Sequence, residues 1–399
     1  MNSNRMSFIE TSKNEIYLEL ITKELYNKRN KYLFNDWKIS VLQKKVLFAV
    51  AIKSIFPILY IIYILYNGVV SFMKIVGSKS VNISQGTYFL ATDNFSPTLN
   101  DKIIRNTQDA VWILNANVQA DNYRITSNKY YSVYELTSIK DLIKVCTNSF
   151  FVLFDVYRKL GSYYILFTLN SFKWLLYKSA VDKIPYDSTI YFLDHKDRWA
   201  LLEDKLKVKN KILIQHGIEI TSNYHKSFLS VNGSGYCFNM PYKFSTVTKV
   251  LAFSETDFKS LCLSILSNVP AKEIIGFGFA LDEISHERFS VLIIGEVALY
   301  SFKEKEIIER LQNSQIDIYL KNHPKNDSSF YKRLQQSLSF NLIEGRFFPN
   351  VDLVISYEST LASEYSSAGI EVVYHTRESI EDIVEKINLI RRSASKLNQ

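Results

Sequence analysis

The residues best suited to chemistry lie in the C-terminal half, where an apolar run gives way to basic side chains. The run over residues 317–322 is followed by His323 and Pro324, and Lys321 lies just inside its end. A buried parallel strand typically stops in this way at a functional loop. Imidazole and ammonium groups gathered at a strand end could bind an anion such as a phosphate.

A second cluster follows about thirty residues later, at the end of the apolar run 352–355. Ser356, Ser359 and Thr360 precede a helical pattern there, so hydroxyls and free backbone N–H groups would meet at a helix N-terminus. Either cluster alone could be an ordinary turn or helix cap. The two in this order favour a shared phosphate cradle, because the ends of parallel strands open on one edge of a sheet.

Short strands alternating with helical stretches from Gly86 onward predict an α/β protein. Two such series, joined near residues 250–270, predict two doubly wound sheets that face one another across a cleft. We expect helices at Lys303–Gln312 and Leu361–Ala368. The expected strands are Thr87–Ala91, Val111–Leu114, Thr189–Leu193, Ile212–Gln215 and Val250–Phe253 in the first series, and Glu273–Ile275, Val291–Ile294, Ile316–Leu320, Leu353–Ile355 and Glu371–Tyr374 in the second.

The first series also ends in polar residues that could act as a base. Asp194 and Asp197 follow one predicted strand, and His216 and Glu219 follow the next. A carboxylate beside an imidazole in a cleft could act as a general base. Asp194 could instead cap a helix, and His216 could be a satisfied loop histidine. Gly276 closes a further strand end and joins the candidate donor site.

Composition narrows the classes of protein that remain. The chain has 399 residues and a formal charge of +8, and residues 1–80 hold 12 Lys or Arg against 5 Asp or Glu, so +7 of the excess lies there. This distribution disfavours a nucleic-acid groove and favours a basic N-terminal face that meets an anionic lipid surface. Three separated cysteines form no CxxC pair and indicate a reducing cytoplasm.

The N-terminal residues predict contact with a membrane. Residues 9–53 have amphipathic helical spacing, and Ser54–Met73 is a run of 20 residues without a charge. Pro57 and the Asn67-Gly68 step favour a helix that lies at the interface or is buried, and a transmembrane helix is the alternative. The expected domains are 1–80, a helical membrane-associated extension; 81–255, an N-terminal Rossmann-like domain; and 256–399, a C-terminal Rossmann-like domain.

The order Gln215-His216-Gly217, then Lys321-x-His323-Pro324, then Ser356-x-x-Ser359-Thr360 resembles bacterial surface-polysaccharide glycosyltransferases of the two-Rossmann-domain (GT-B) class. The His-Pro and Ser-Ser/Thr pairs are similar to those of sialyltransferases and polysialyltransferases. This resemblance implies that His323, Ser359 and Thr360 hold the phosphate of CMP-sialic acid. The chain departs from several of those families because it has no Asp/Glu-Asp/Glu-Gly triplet, which is their base motif.

The resemblance implies an inverting transferase that moves a CMP-activated nonulosonic acid, such as sialic acid, onto a glycan or lipid-linked glycan in O-antigen or capsule synthesis. No Asp-x-Asp motif is present, so no metal or other cofactor is expected. The expected location is cytoplasmic, peripheral at the inner face of the membrane, with no nucleic-acid partner. The alternatives are a CDP-glycerol or other polyol-phosphate transferase, a Kdo- or UDP-sugar-dependent enzyme, and a catalytically dead glycan-binding or membrane-assembly protein.

Overall fold

The chain divides into two compact units. The first unit comprises Met1–Glu219 and Tyr224–Ile275, and the second comprises Ile220–Asn223 and Gly276–Gln399. The computed structural model describes residues 3–26, 46–92, 109–116, 118, 129–160, 162–215, 217, 220–221, 224–233, 235–276, 280–284, 288–296, 300–312, 314–323, 328–345 and 347–397.

The first unit is built on a parallel sheet of seven strands in the order β3-β2-β1-β4-β5-β8-β9. Strands β6 and β7 form a separate antiparallel pair. The order reverses between β1 and β4, which makes this the switch point of the sheet. The strands are β1 (Thr87–Ala91), β2 (Val111–Leu114), β3 (Tyr130–Ser132), β4 (Thr189–Phe192), β5 (Asn210–Ile214), β6 (Phe228–Ser230), β7 (Tyr236–Phe238), β8 (Lys249–Ala252) and β9 (Ala271–Ile274).

The second unit holds a parallel sheet of five strands in the order β12-β11-β10-β13-β14. Every residue of the central strand β10 is buried, as expected when helices cover both faces of a parallel sheet. The switch point lies between β10 and β13. The strands are β10 (Ser290–Gly295), β11 (Asp317–Asn322), β12 (Asn341–Ile343), β13 (Leu353–Ser356) and β14 (Glu371–Tyr374).

Helices connect and flank these strands. Those of the first unit are α1 (Ser3–Tyr26), α2 (Val46–Gly77), α3 (Val133–Leu136), α4 (Ile139–Leu160), a 3₁₀ helix (Ser162–Asn170), α5 (Ser171–Val181), α6 (Arg198–Asp204) and α7 (Glu255–Ser264). Those of the second unit are α8 (Ser301–Leu311), α9 (Ser329–Leu334), α10 (Thr360–Ser367) and α11 (Ile380–Leu397).

The predicted fold class, two doubly wound parallel α/β sheets with helices before the first, is confirmed. Three predicted strands match β1, β2 and β14 at both ends, and most of the other bounds differ by one or two residues. Gly369, predicted to end a helix, has φ +87° one residue after Ala368 caps α10.

The first sheet continues beyond the expected domain boundary at residue 255. Strand β9 pairs in parallel with β8 through Lys249 opposite Ala271 and Ala252 opposite Ile274. The unit therefore ends at Ile275, because a strand hydrogen-bonded along its length stays with its sheet.

The N-terminal helices are packed into the first unit and do not form a separate extension. Phe8 of α1 is fully buried and stacks on Phe167 with ring centroids 5.4 Å apart. Tyr60 of α2 is also fully buried, and its hydroxyl donates to the Ser149 carbonyl at 2.9 Å. One face of each helix thus completes the core that covers the first sheet.

We expect Phe8→Ala to lower the free energy of unfolding of the first unit by about 3–5 kcal/mol, because it leaves a cavity beside Phe167 and Trp174. Urea unfolding followed by circular dichroism measures the change. Leu20→Ala, on the same helix but at a side chain 48% exposed, is the matched control and should shift stability by about 0.5 kcal/mol or less. Equal effects of the two variants would show that α1 is not part of the core.

Candidate functional site

The second sheet brings the predicted phosphate-binding residues to one edge. Central strand β10 pairs with β11 on one side, with Gly295 opposite Asn322, and with β13 on the other, with Ile294 opposite Ser356. The chain leaves β11 at His323, whose backbone N–H donates to the Gly295 carbonyl at 3.0 Å. His323 and Ser356 therefore flank the carboxyl end of β10, beside the switch point where α/β sheets bind ligands.

Two hydroxyls lie together where β13 passes into α10. The Oγ atoms of Ser356 and Ser359 are 3.1 Å apart, and Ser359 Oγ accepts a hydrogen bond from Ala362 N at 3.1 Å. Ser359 has extended backbone angles, so it is the N-cap of α10, and Thr360 is the first helical residue. The hydroxyl pair lies at the partially positive end of a helix that points its first N–H groups toward the sheet edge.

Lys321 serves a different purpose from the one predicted. Its ammonium donates to the carbonyls of Gly345 at 2.7 Å and Phe347 at 3.0 Å, and it lies 4.6 Å from the ring centroid of Phe348. The side chain is 8% exposed, and burial lowers its pKa. Lys321 thus holds the loop after β12 in place, because its donors are directed at backbone carbonyls.

Gly276 lies where the chain leaves the first sheet. It follows β9, where Ile275 N donates to Ala252 O, and it is the first residue of the main segment of the second unit. Its φ of +67° is in the left-handed region that glycine adopts readily. Its role in the structure is to turn the chain out of the first sheet.

Sequence reasoning missed a buried cluster beneath the same edge of the second sheet. His375 follows β14 and has no exposed surface. Its backbone N–H donates to the Ser356 carbonyl at 2.9 Å. His375 Nε2 lies 3.8 Å from Glu304 Oε1 on α8, and Tyr331 on α9 donates its hydroxyl to Glu304 Oε2. These residues are separated by up to 71 positions in the sequence, so no local motif could have revealed them.

Burial sets the protonation of this cluster. It raises the pKa of Glu304 to about 7 and lowers the pKa of His375 to about 4. Between about pH 4 and 7 this contact is therefore not a salt bridge, since both groups are then mostly neutral. The Tyr331 side chain also packs closely on the end of β10. A Cβ added to Gly295 would lie 2.6 Å from the Tyr331 hydroxyl, so this position has no room for a side chain unless Tyr331 moves.

In the first unit, Asp194 lies at the switch point between β1 and β4. Thr92, which follows β1, donates its hydroxyl to both carboxylate oxygens at 2.8 and 2.6 Å. Asn115, which follows β2, donates its side-chain N–H to the Thr92 carbonyl at 3.1 Å. Three neighbouring strand ends thus fix the predicted base at the edge where α/β sheets bind ligands.

Asp197 caps the helix that follows. Its Oδ1 accepts from Trp199 N at 2.9 Å and Ala200 N at 3.0 Å, and burial raises its pKa. The carboxylate is therefore largely committed to α6, and Asp197 takes the capping position that the sequence alternative gave to Asp194. Arg198 donates from Nε to Glu15 Oε1 of α1 at 2.8 Å and ties the N-terminal helix to the same segment.

A buried carboxyl that sequence reasoning missed lies behind Asp194 and Asp197. Glu203 has no exposed surface and accepts from the Tyr177 hydroxyl at 3.1 Å. Burial raises its pKa well above the usual range, and the charges of Asp194 and Asp197 raise it further. Burial therefore favours the protonated form of Glu203, next to the candidate base of the first unit.

The other predicted catalytic residues, His216 and Glu219, lie outside the described residues. The adjoining Gln215 is fully buried, accepts from Phe253 N at 2.8 Å and donates to the Gly217 carbonyl at 2.9 Å. The segment that carries His216 is thus anchored at the carboxyl end of β5. Within the described parts of the chain, no group of three or more His, Cys, Asp or Glu is placed to hold a metal ion.

No protein-family model matches the sequence, and no curated protein matches it. Among solved structures, the wall teichoic acid polymerase TagF soaked with CDPG is 10% identical, with TM-score 0.38 over 73% of this chain and 70% of TagF. HepE of Anabaena with UDP and glucose is 13% identical, with TM-score 0.40 over 73% and 80%. MurG of Acinetobacter baumannii is 8% identical, with TM-score 0.35 over 79% and 91%. Likeness at this level assigns no function.

We expect Glu304→Gln to destabilise the second unit more at pH 5 than at pH 7.5. Because the folded-state pKa of about 7 exceeds the usual 4.5, the wild-type protein loses the stabilisation from this group as pH rises from about 4.5 through 7. The variant has no such loss, so the stability difference between the two should shrink by about 3 kcal/mol over that range.

Urea unfolding at several pH values measures this difference. Glu309→Gln, on the same helix but paired at the surface with Lys305 at 3.5 Å, is the matched control and should show no such pH dependence. A pH-independent difference for Glu304→Gln would mean that Glu304 is ionised in the folded protein throughout.

Proposed function

We propose that the chain is a GT-B glycosyltransferase of surface-polysaccharide synthesis that uses a CMP-activated nonulosonic acid as donor. The observation that carries the proposal is the hydroxyl pair of Ser356 and Ser359 at the N-terminus of α10, beside the switch point of the second sheet. His323 enters the same edge from β11. The second unit would bind the donor and the first unit the acceptor.

The chemistry of the site fits a nucleoside monophosphate leaving group. Such a group leaves with one phosphate, whose charge an imidazole, two hydroxyls and a helix N-terminus can stabilise. The residues best placed for this are His323, Ser359 and Thr360, with Ser356 supporting Ser359 from below. The engagement of Lys321 with the loop after β12 makes the cradle depend on hydrogen-bond donors more than on fixed positive charge.

In the proposed reaction, an acceptor hydroxyl oxygen attacks the anomeric carbon of the donor sugar and forms the new glycosidic bond. The bond from that carbon to the phosphate oxygen breaks, and its electron pair leaves with CMP. The proton of the hydroxyl passes to a base of the first unit. Asp194 is the best-placed described candidate, because Thr92 fixes its carboxylate at the switch point, and Glu219 and His216 remain candidates from the sequence.

The acceptor is a glycan or lipid-linked glycan, and donor hydrolysis measured in its absence tests the donor class directly. We expect CMP-sialic acid or a related CMP-nonulosonic acid to release its nucleotide faster than CDP-glycerol, CMP-Kdo and UDP-sugars release theirs. Turnover of CDP-glycerol alone would establish a polyol-phosphate transferase. Nucleotide binding without turnover of any donor would favour the catalytically dead binding protein.

We expect His323→Ala to lower the turnover number roughly 100-fold, because it removes a donor to the charge that develops on the leaving phosphate. The Michaelis constant for the donor should change less, since the interaction strengthens in the transition state. His225→Ala, at a first-unit histidine whose Nδ1 accepts from Ser227 N at 3.1 Å, is the control and should retain activity. Near-normal turnover of a folded His323→Ala protein contradicts the phosphate role.

We expect activity to survive EDTA. The proposal rests on the absence of an Asp-x-Asp motif from the sequence and on a cradle of hydroxyls, imidazole and helix N–H groups that suffices for one phosphate. Steady-state rates with and without the chelator measure this. Complete loss with EDTA, restored by magnesium or manganese, would indicate a nucleoside diphosphate donor.

A further inference from the structure

The outward face of α2 is unusually apolar for a surface helix. Seventeen of the 28 exposed large apolar residues among the described residues lie on α2 and α4, and eleven of these are on α2. Ile62 is 56% exposed and Leu65 is 64% exposed. The segment Ile55–Gly77 is long and apolar enough to cross a membrane, and only 22% of its most apolar window is buried. An exposed apolar surface of this extent marks an interaction site.

Helix α4 extends this apolar surface with aromatic side chains. Phe150 is 36% exposed and Phe154 is 56% exposed, while Val152 and Val156 on the opposite face are fully buried. The two helices meet closely, because a Cβ added to Gly68 of α2 would lie 3.2 Å from Cys146 Sγ of α4. The sequence predicted a membrane contact within residues 1–80 and a helical or partly membrane-facing stretch over Phe150–Ala180, and the exposed aromatic residues of α4 lie at the start of that stretch.

The charges around this surface have one sign. Lys140 and Lys144 near the start of α4, and Arg158 and Lys159 near its end, are all exposed. The two acids of the helix are held in ion pairs, Asp141 with Lys183 at 2.8 Å and Asp155 with Arg5 at 3.5 Å. Helix α2 contains no Asp or Glu and has an exposed Lys74 in its last turn. An apolar face bounded by cations complements an anionic lipid surface.

A second copy of the chain fits this surface less well. A symmetric dimer would bring the same patch of each copy together and would set one basic rim against another. Like charges placed across an interface oppose association, whereas anionic headgroups neutralise them. The charge pattern therefore favours lipid over a partner subunit.

The buried face of α2 decides how the helix meets the bilayer. The Tyr60 hydroxyl donates to the Ser149 carbonyl at 2.9 Å, and the Tyr63 hydroxyl donates to the Leu169 carbonyl at 2.6 Å. These bonds attach α2 lengthwise to α4 and to the 3₁₀ helix of the same unit. A helix held in this way offers one side to lipid along its length, which suits a position in the plane of the interface.

We propose that the exposed faces of α2 and α4 form one surface that embeds in an anionic bilayer leaflet without spanning it. The surface belongs to the first unit and does not depend on the identity of the donor. Its test is binding of the full-length protein, without nucleotide, to vesicles of phosphatidylcholine with and without phosphatidylglycerol. Removal of residues 1–75 would not test the surface, because it also removes Phe8 and Tyr60 from the core.

We expect wild-type protein to bind the anionic vesicles and to be released by high salt or alkaline carbonate. Phe154→Ser should weaken binding roughly tenfold, because it removes the favourable free energy of transferring the phenylalanine side chain from water into the bilayer. Phe302→Ser, at an 82% exposed phenylalanine on α8 of the second unit, is the matched control and should bind like wild type.

Each contrary result overturns a named part of the proposal. Equal binding by Phe154→Ser and wild type excludes α4 from the surface, and resistance to carbonate shows that α2 spans the bilayer. If the wild-type protein does not bind anionic vesicles and sediments as a dimer, the apolar face binds a second copy of the chain. If it does not bind the vesicles and stays monomeric, the face does not bind lipid.

Discussion

Parallel pairing of strands is the constraint on which both candidate sites depend. In each unit, a strand buried on both sides must leave the sheet at the same edge as its neighbours, whatever the sequence between them. This is why His323, Ser356 and His375, which come from three segments of the chain, flank or follow the ends of adjacent strands. Asp194, Thr92 and Asn115 meet in the first unit for the same reason.

The sequence predicted most of the strands because buried parallel strands are short, apolar and rich in β-branched residues, as in Val291–Ile294 within β10. It also identified Ser359 as a helix start, since a hydroxyl residue before a helical pattern is a local signal. The sequence could not predict which groups the ends of long side chains contact. Lys321 looked like an anion donor from its neighbours, but its ammonium reaches two carbonyls more than twenty residues away.

Helix α2 shows why an apolar run alone does not separate the core from the membrane. Length and composition are the same for a spanning helix, an interfacial helix and a buried one. The structure divides its side chains into a face fixed by Tyr60 and Tyr63 and a face that remains exposed. That division depends on partners in α4 and the 3₁₀ helix, about a hundred residues away, which no pattern within α2 could indicate.

The neutral pair of Glu304 and His375 connects the packing of the second unit to its proposed chemistry. An ionised carboxylate buried near the cradle would repel a phosphate strongly, because burial weakens solvent screening. Burial instead keeps the proton on Glu304 up to about pH 7, and the Tyr331 hydroxyl and the Glu296 N–H satisfy its oxygens. The backbone bond from His375 to Ser356 links this neutral layer to the hydroxyl pair above it. The second sheet can thus place the Glu304 carboxyl beneath the proposed anion site while burial suppresses its negative charge below about pH 7.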